Sequence, residues 1–267
     1  MMQVRPAAVA GMFYPDNPTR LRFEVRACLD AARGEPMRPK ALVVPHAGYV
    51  YSGPIAASAY ALLQPLRELI RRVVLLGPAH RVWVPGLALP GVDAFETPLG
   101  RVMLDQDAIA SLADLPQVGV YAAAHAHEHS LEVHLPFLQI VLDEFALIPL
   151  LVGGADAEAV AQVLERLWDD DETLIVVSSD LSHFLPYEDA RRVDAETARA
   201  ILGLDADLVG EQACGAYPLN GLMRVARRRG LRPHLLDLRN SGDTAGDRDQ
   251  VVGYGAFAFT ETDHGRA

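Results

Sequence analysis

Four short runs of Val, Leu, Ile and Ala, at 41–44, 73–76, 146–152 and 173–177, constrain the fold of this 267-residue chain more than any other feature. A strand with one wet face alternates apolar and polar residues. A run that is apolar throughout reads as a strand covered on both faces, as in a parallel sheet between helix layers. Segments with helical periodicity fall between or after these runs, at about 21–32, 54–72, 156–168, 187–202 and 219–229. This alternation predicts an α/β sandwich with a mixed, largely parallel central sheet flanked by helices. Residues 87–103, with short alternating pieces and several Gly and Pro, suit an irregular or antiparallel edge insertion, and 232–239 and 251–259 read as closing strands. No repeat, low-complexity segment or linker interrupts the chain, so 1–267 is read as a single domain.

Composition removes several function classes. With 24 Lys and Arg against 35 Asp and Glu the formal charge is -11, which opposes a nucleic-acid or anionic-membrane partner. Every long apolar stretch is broken before the ~18 residues a membrane span needs, and residues 1–14 lack the apolar core of a signal peptide. Only two cysteines, Cys28 and Cys214, are present and far apart, which fits a reducing, cytoplasmic setting better than a disulfide framework. Lys40 is the only lysine, so no Gly-Lys-Ser/Thr phosphate loop exists. The Gly-x-Ser-x-Gly elbow of serine hydrolases is also absent, and Gly253-Tyr254-Gly255-Ala256-Phe257-Ala258 lacks the third glycine of a dinucleotide fingerprint.

The polar residues that remain informative sit at strand exits. The run at 41–44 leads into Pro45-His46-Ala47-Gly48-Tyr49, and the run at 73–76 into Gly77-Pro78-Ala79-His80. The run at 173–177 leads into Ser178-Ser179-Asp180-Leu181-Ser182-His183. Ligands of open α/β sheets gather at the carboxyl ends of strands, so His46, His80, Asp180 and His183 are expected to converge. A lone strand-end histidine is more often a satisfied hydrogen-bonding residue than a ligand; two of them on two exits shift the balance toward a metal. Gly48, Gly53 and Gly77 either permit close backbone approach or simply form turns.

The segment from His125 to His134 is dense in His and Glu but has the spacing His129-x-x-Glu132-x-His134, not that of a zinc protease helix. On a helix, His129 and Glu132 would share a face, giving His129 a role in positioning substrate or supporting a ligand, against a solvated helix start. For His125 and His127 the solvated reading leads. Cys214, among small residues ahead of a helix start that would favour a thiolate, is the better candidate for ligation, and Cys28 reads as packing.

Several of these stretches, in order, resemble the Memo family, known in prokaryotes as protein B of the AmmeMemoRadiSam system. They are Pro45 to Gly53, Gly77-Pro78-Ala79-His80, Glu128 to Pro136, Ser178 to His183 and Cys214-Gly215. The resemblance extends from Arg5-Pro6 and Gly11-Met12-Phe13-Tyr14-Pro15 to Val252-Gly253-Tyr254. It implies a fold like that of LigB-type class III extradiol dioxygenases, which hold non-haem Fe(II) through two histidines and a carboxylate. Carried onto this chain, it implies His46, His80 and Cys214 as metal ligands and His183 as acid/base beside Asp180. His129, Tyr49 and Tyr51 then contact substrate or support the ligands. A thiolate in place of the carboxylate favours Fe, Cu(I) or Zn over Mg or Ca and argues against ring cleavage itself.

Three readings follow. The first is a mononuclear Fe(II) or Cu oxidoreductase, with Zn as another metal, acting on a small-molecule or peptide substrate. The second is a peptide- or protein-binding module associated with a radical-SAM protein. The third is metal-free thiol chemistry by Cys214 with His183 and Asp180, which leaves the strand-end histidines without a role.

Overall fold

A computed structural model describes residues 2–168 and 171–261; the single-domain span read from sequence also takes in Met1, 169–170 and 262–267, outside the described residues. Elements run in the order β1 (Val4–Arg5), α1 (Pro18–Ala31), β2 (Pro39–Val44), α2 (Tyr49–Tyr60), β3 (Arg72–Pro78), β4 (Leu87–Leu89), β5 (Ala94–Thr97), β6 (Gly100–Met103), α3 (Gln106–Ala110) and β7 (Val118–Val120). They continue with α4 (Ala122–Ala126), α5 (Leu135–Val141), β8 (Ala146–Val152), α6 (Ala157–Leu167), β9 (Thr173–Ser178), β10 (His183–Leu185), α7 (Tyr187–Leu202), α8 (Ala216–Arg229), β11 (Arg232–Asn240) and β12 (Val251–Thr260). The fold is a mixed α/β sandwich.

Nine strands form the large sheet in the order β10-β12-β2-β9-β3-β8-β4-β7, with β11 against β12. The centre, β2-β9-β3-β8, is parallel, and β12 and β4 join it antiparallel. Successive residues of each central strand serve opposite faces, which is why the runs are apolar throughout. Leu42, Val44, Leu75 and Val176 face the core under α1, α2 and α5; Ala41, Val43, Leu76 and Val177 face the core under α6, α7 and α8.

The four runs read as buried strands are β2, β3, β8 and β9, and 187–202 is helical as expected. The helix expected over 54–72 instead starts at Tyr49 and stops at Tyr60, followed by a 3-10 stretch, Ala61–Leu66. Pro54 reads as a helix start but lies inside the helix. The carbonyl it leaves without a donor is that of Val50, on the solvent side, where water can take the place of the missing N–H. The 87–103 insertion splits: β4 joins the large sheet, while β5 and β6 pair with β1 in a separate three-stranded sheet. Among the described residues no helix is long and apolar enough to cross a membrane.

His125, read as a solvated residue, is instead buried in α4 and donates from Nε2 to the Ala88 carbonyl at 2.8 Å. Burial, against that hydrogen bond, brings its pKa down from 6.5 to about 4. Its contribution to stability is therefore complete above pH 6.5. It is lost as pH falls toward 4, where the unfolded chain binds a proton that folded His125 refuses, a loss of about 3 kcal/mol. Urea unfolding between pH 7 and 4 is expected to show this decline, with a shallower one in His125→Gln. Parallel pH profiles for the two proteins would contradict it.

Candidate metal centre

The strand order, more than the strands themselves, builds the site. β9 lies between β2 and β3, all three parallel, so their carboxyl ends stand side by side. His46 leaves β2, Asp180 leaves β9 and His80 leaves β3. The fourth contributor is the turn around His129, which folds back onto the end of β3. Ser130 Oγ donates to the Pro78 carbonyl at 2.8 Å, and a Cβ on Gly77 would come within 2.8 Å of Leu131 and 3.0 Å of Ser130. Gly77 is needed for this close approach, not for a turn.

His46, His80 and His129 each offer a ring nitrogen, and the three nitrogens lie within 4.8 Å of one another. The His80 and His129 rings stack at 4.8 Å between centroids, and His46 meets both edge-on at 5.2 and 5.4 Å. Hydrogen bonds fix two tautomers. Ser178 Oγ donates to the Ser130 carbonyl at 2.6 Å, so at 2.6 Å from His46 Nδ1 it must accept, which leaves the lone pair on His46 Nε2. His80 Nδ1 donates to Glu128 Oε1 at 2.9 Å, leaving its lone pair on Nε2 as well. His129 Nδ1 is buried without a well-aligned hydrogen bond, although Glu128 Oε1 lies 3.2 Å away. Burial, reinforced by the neighbouring His80 and His129, holds the His46 pKa well below 6.5, so this imidazole is neutral at pH 7.

Three imidazoles whose ring nitrogens converge, with Nδ1 of His46 and of His80 held by hydrogen bonds, form a donor set that suits Zn, Cu, Fe or Ni. The residues present therefore fit a metal ion. His46 is buried and His80 is the most exposed of the three, so the group opens to solvent on the His80 side.

Glu128 organises this group. Its carboxylate accepts from the backbone N–H of His80 at 2.6 Å, of His129 at 2.9 Å and of Ser130 at 3.0 Å, besides His80 Nδ1. Burial by itself would raise the Glu128 pKa; contacts with His129 and His80 outweigh it and hold the carboxyl far below its ordinary value. Beneath it, Arg5 donates to the carbonyls of His125 at 2.7 Å and Glu128 at 2.6 Å and pairs with Glu132 at 2.6 Å. Glu132 also accepts from the N–H groups of Ala8 and Val9 and from Tyr14 Oη.

The family description "Memo-like protein" matches residues 5–258. This chain belongs to the Memo family. A MEMO1 family protein of Aquifex aeolicus is 36% identical over 97% of this chain and 100% of its own length. Others from Archaeoglobus fulgidus, at 35% over 96% and 99%, and Methanosarcina barkeri, at 34% over 95% and 99%, are similar over the same extent. A solved structure of an uncharacterized Escherichia coli K12 protein aligns with a TM-score of 0.47 and 15% identity over 81% of this chain and 99% of that one.

Within this Memo chain the residues singled out from sequence fall into three places. His46 and His80 join with His129, which takes a place among the nitrogens and not on a helix beside Glu132. The turn around His129 is non-helical, and Glu132 is buried in its ion pair with Arg5. Cys214 stands to one side of the three, its Sγ 3.2 Å from His46 Nε2 and accepting from the Asp180 N–H at 3.3 Å. Burial and the Asp180 carboxylate raise its thiol pKa, outweighing the nearby start of α8 that favours a thiolate. A Cβ on Gly215 would stand 2.5 Å from the Ser178 carbonyl, so this glycine lets the Cys214 turn lie against the end of β9.

Asp180 does not hydrogen-bond His183. Its Oδ1 accepts the His46 N–H at 2.7 Å, and burial pushes its pKa up to about 6. His183 is held through Nδ1 by the Leu181 carbonyl at 2.9 Å, which leaves Nε2 free to take a proton. Neither Asp180 nor Ser182 caps the following helix, whose N-cap is Pro186. Tyr49 lies in the core, its hydroxyl donating to the Val133 carbonyl at 2.5 Å, and so buttresses the 129–134 segment from behind. Tyr51, in the first turn of α2, is exposed to solvent. Glu128, Ser178 and Arg5 carry no role in the sequence reading. A carboxylate directly preceding a histidine in a segment tied to strand ends was the available signal for Glu128; Arg5, far away in the chain, gave none.

Proposed function

We propose that this Memo-family protein is a metal-dependent redox enzyme that uses one iron or copper ion held by His46, His80 and His129, with Cys214 as a soft donor beside His46. The observation that carries this reading is the convergence of three imidazoles, with Nδ1 of His46 held by Ser178, Nδ1 of His80 held by Glu128 and Nδ1 of His129 buried 3.2 Å from the same carboxylate. A thiol next to such a group loses its proton when it ligates, whatever its pKa in the metal-free site. A bound iron or copper ion would supply the electron exchange with substrate or dioxygen that no side chain here can provide.

The chain's own residues divide the remaining work. His183, with Nδ1 committed to Leu181, carries protons at Nε2. Asp180 fixes the backbone of His46 and so the position of its ring. Glu128 sets the His80 and His129 backbones and the His80 tautomer together. The accessible face at His80 admits the reactant, while burial of His46 keeps the inner side dry.

Metal analysis of anaerobically purified protein, followed by oxygen uptake after reconstitution, tests the reading. Near-stoichiometric iron or copper, lost in His46→Ala and weakened in Cys214→Ala, with oxygen consumed only by loaded protein, is the expected result. A protein that binds neither metal under any reconstitution, or binds one and never exchanges electrons, overturns it.

A further inference from the structure

Among the described residues the buried carboxylates are those of Glu128, Glu132, Asp180 and Asp194. Glu128 accepts from the backbone N–H groups of His80 and His129, Asp180 from that of His46, and Glu132 pairs with Arg5. Asp194, inside α7 and 2% exposed, pairs with no Lys, Arg or His among the described residues. Its Oδ1 accepts the backbone N–H of Ser182 at 2.9 Å, and Ser182 directly precedes His183. A carboxylate buried without a cation costs free energy; burial raises the Asp194 pKa, against the hydrogen bonds from Ser182. An apolar residue facing the core from α7 would carry no such cost, so the carboxylate calls for a reason.

The backbone leading to His183 supplies that reason. The Leu181 N–H donates to the Gly253 carbonyl at 2.8 Å, the Leu181 carbonyl accepts from His183 Nδ1 at 2.9 Å, and the Ser182 carbonyl accepts from the Gly253 N–H at 2.8 Å. The Ser182 N–H is the group of this stretch that a side chain satisfies, and the side chain reaches it from α7. Gly253 makes the approach possible: a Cβ there would stand 2.0 Å from Asp194 Oδ2 and 2.5 Å from Oδ1, so any side chain at 253 would displace the carboxylate. The Ser182 hydroxyl, buried without a well-aligned hydrogen bond, also acts on the carboxyl. Ser182 is thus clamped at its carbonyl by Gly253 and at its N–H by Asp194, and the His183 ring leaves the chain from that clamp.

We infer that Asp194 is a positioning residue for His183: by holding the Ser182 N–H it sets the direction in which the imidazole leaves the chain, so that Nδ1 meets the Leu181 carbonyl and Nε2 is left to carry a proton. Glu128 and Asp180 place the other site histidines in the same way, through backbone N–H groups. The consequence for turnover rests on the proton-carrying role proposed for His183; the placement itself does not. Without the carboxylate the Ser182 peptide is free to tilt, the bond from Nδ1 to the Leu181 carbonyl is lost, and the neutral imidazole divides its proton between its two nitrogens.

The test uses full-length protein with nitrogen-15 histidine, stripped of metal with a chelator, so that its outcome is separate from that of the metal analysis. Proton–nitrogen correlation spectra report which ring nitrogen carries the proton, and the His183 signals are assigned by their loss in His183→Gln. Native protein is expected to show neutral His183 protonated on Nδ1. Asp194→Ala and Asp194→Thr should each show both tautomers, with exchange of the Ser182 amide about tenfold faster. Threonine keeps more of the volume than alanine and its hydroxyl is one bond short of the Ser182 N–H, so the reading does not depend on the alanine variant folding. Asp194→Asn should restore the native spectrum, since its amide oxygen can accept from Ser182; a purely structural role would lower the urea midpoint and leave the tautomer unchanged. A native His183 without preference for Nδ1–H, a native tautomer in the Ala and Thr variants, or an Asn variant as perturbed as the Ala variant overturns the inference. A tautomer that changes as expected in a protein that binds no metal keeps the placement and removes the redox reading.

Discussion

Replacing Arg5 by methionine is expected to destabilise the protein by about 3–5 kcal/mol, measured as a fall in the free energy of urea unfolding. Arg5 is 5% exposed and Glu132 is not exposed at all, so removing the guanidinium leaves a buried carboxylate whose remaining partners are two N–H groups and one phenol. It also strips the donors from the carbonyls of His125 and Glu128. A broken buried pair costs more than the intact pair contributes, because the surviving charge has been desolvated without compensation. Glu132→Gln should lose less than Arg5→Met, since the surviving Arg5 charge keeps the carbonyls of His125 and Glu128 as partners and the amide oxygen keeps an acceptor in place. Arg5→Met together with Glu132→Met should recover part of the single-variant loss. A loss below about 1 kcal/mol in Arg5→Met would show that the segment carrying His129 is held by its apolar contacts and not by this pair.

The second large effect concerns the donor set. His46→Ala, His80→Ala and His129→Ala are each expected to abolish tight metal binding, and Glu128→Gln to weaken it about 10–100-fold, in a cobalt titration followed by its visible absorption. Glu128→Gln keeps the shape of the side chain but presents an amide to His80 Nδ1 and to three backbone N–H groups that now meet a carboxylate. Cys214→Ser separates the two arrangements the residues permit. If sulfur ligates, the intense thiolate-to-cobalt absorption disappears in this variant; if His129 alone completes the set with His46 and His80, the spectrum is unchanged. Full retention of affinity in His129→Ala would remove His129 from the ligands and return the set to His46, His80 and Cys214.

Much of the fold was legible because it is set locally. A strand covered on both faces has no reason to carry polar residues, so β2, β3, β8 and β9 announce themselves, and α7 shows its period over 16 residues. The short strands β1, β7 and β10 do not, since two or three residues cannot display a period. The helix around Pro54 was misplaced for a local reason too: proline is a good first-turn residue, and only the solvent beside Val50 allows it farther in.

The site divides along the same line. Chain order and composition determined that histidines and an aspartate leave strand ends, that phosphate-loop and serine-hydrolase chemistry lack their motifs, and that the chain resembles the Memo family. Only the tertiary structure decided that β9 inserts between β2 and β3, that the turn around His129 seats on Gly77, and that Glu128 and the distant Arg5 lock it there. Periodicity and strand ends are properties of neighbouring residues along the backbone. Which strand lies beside which, and which buried carboxylate meets which imidazole, is settled by packing and charge pairing across the whole chain, where local pattern carries no information.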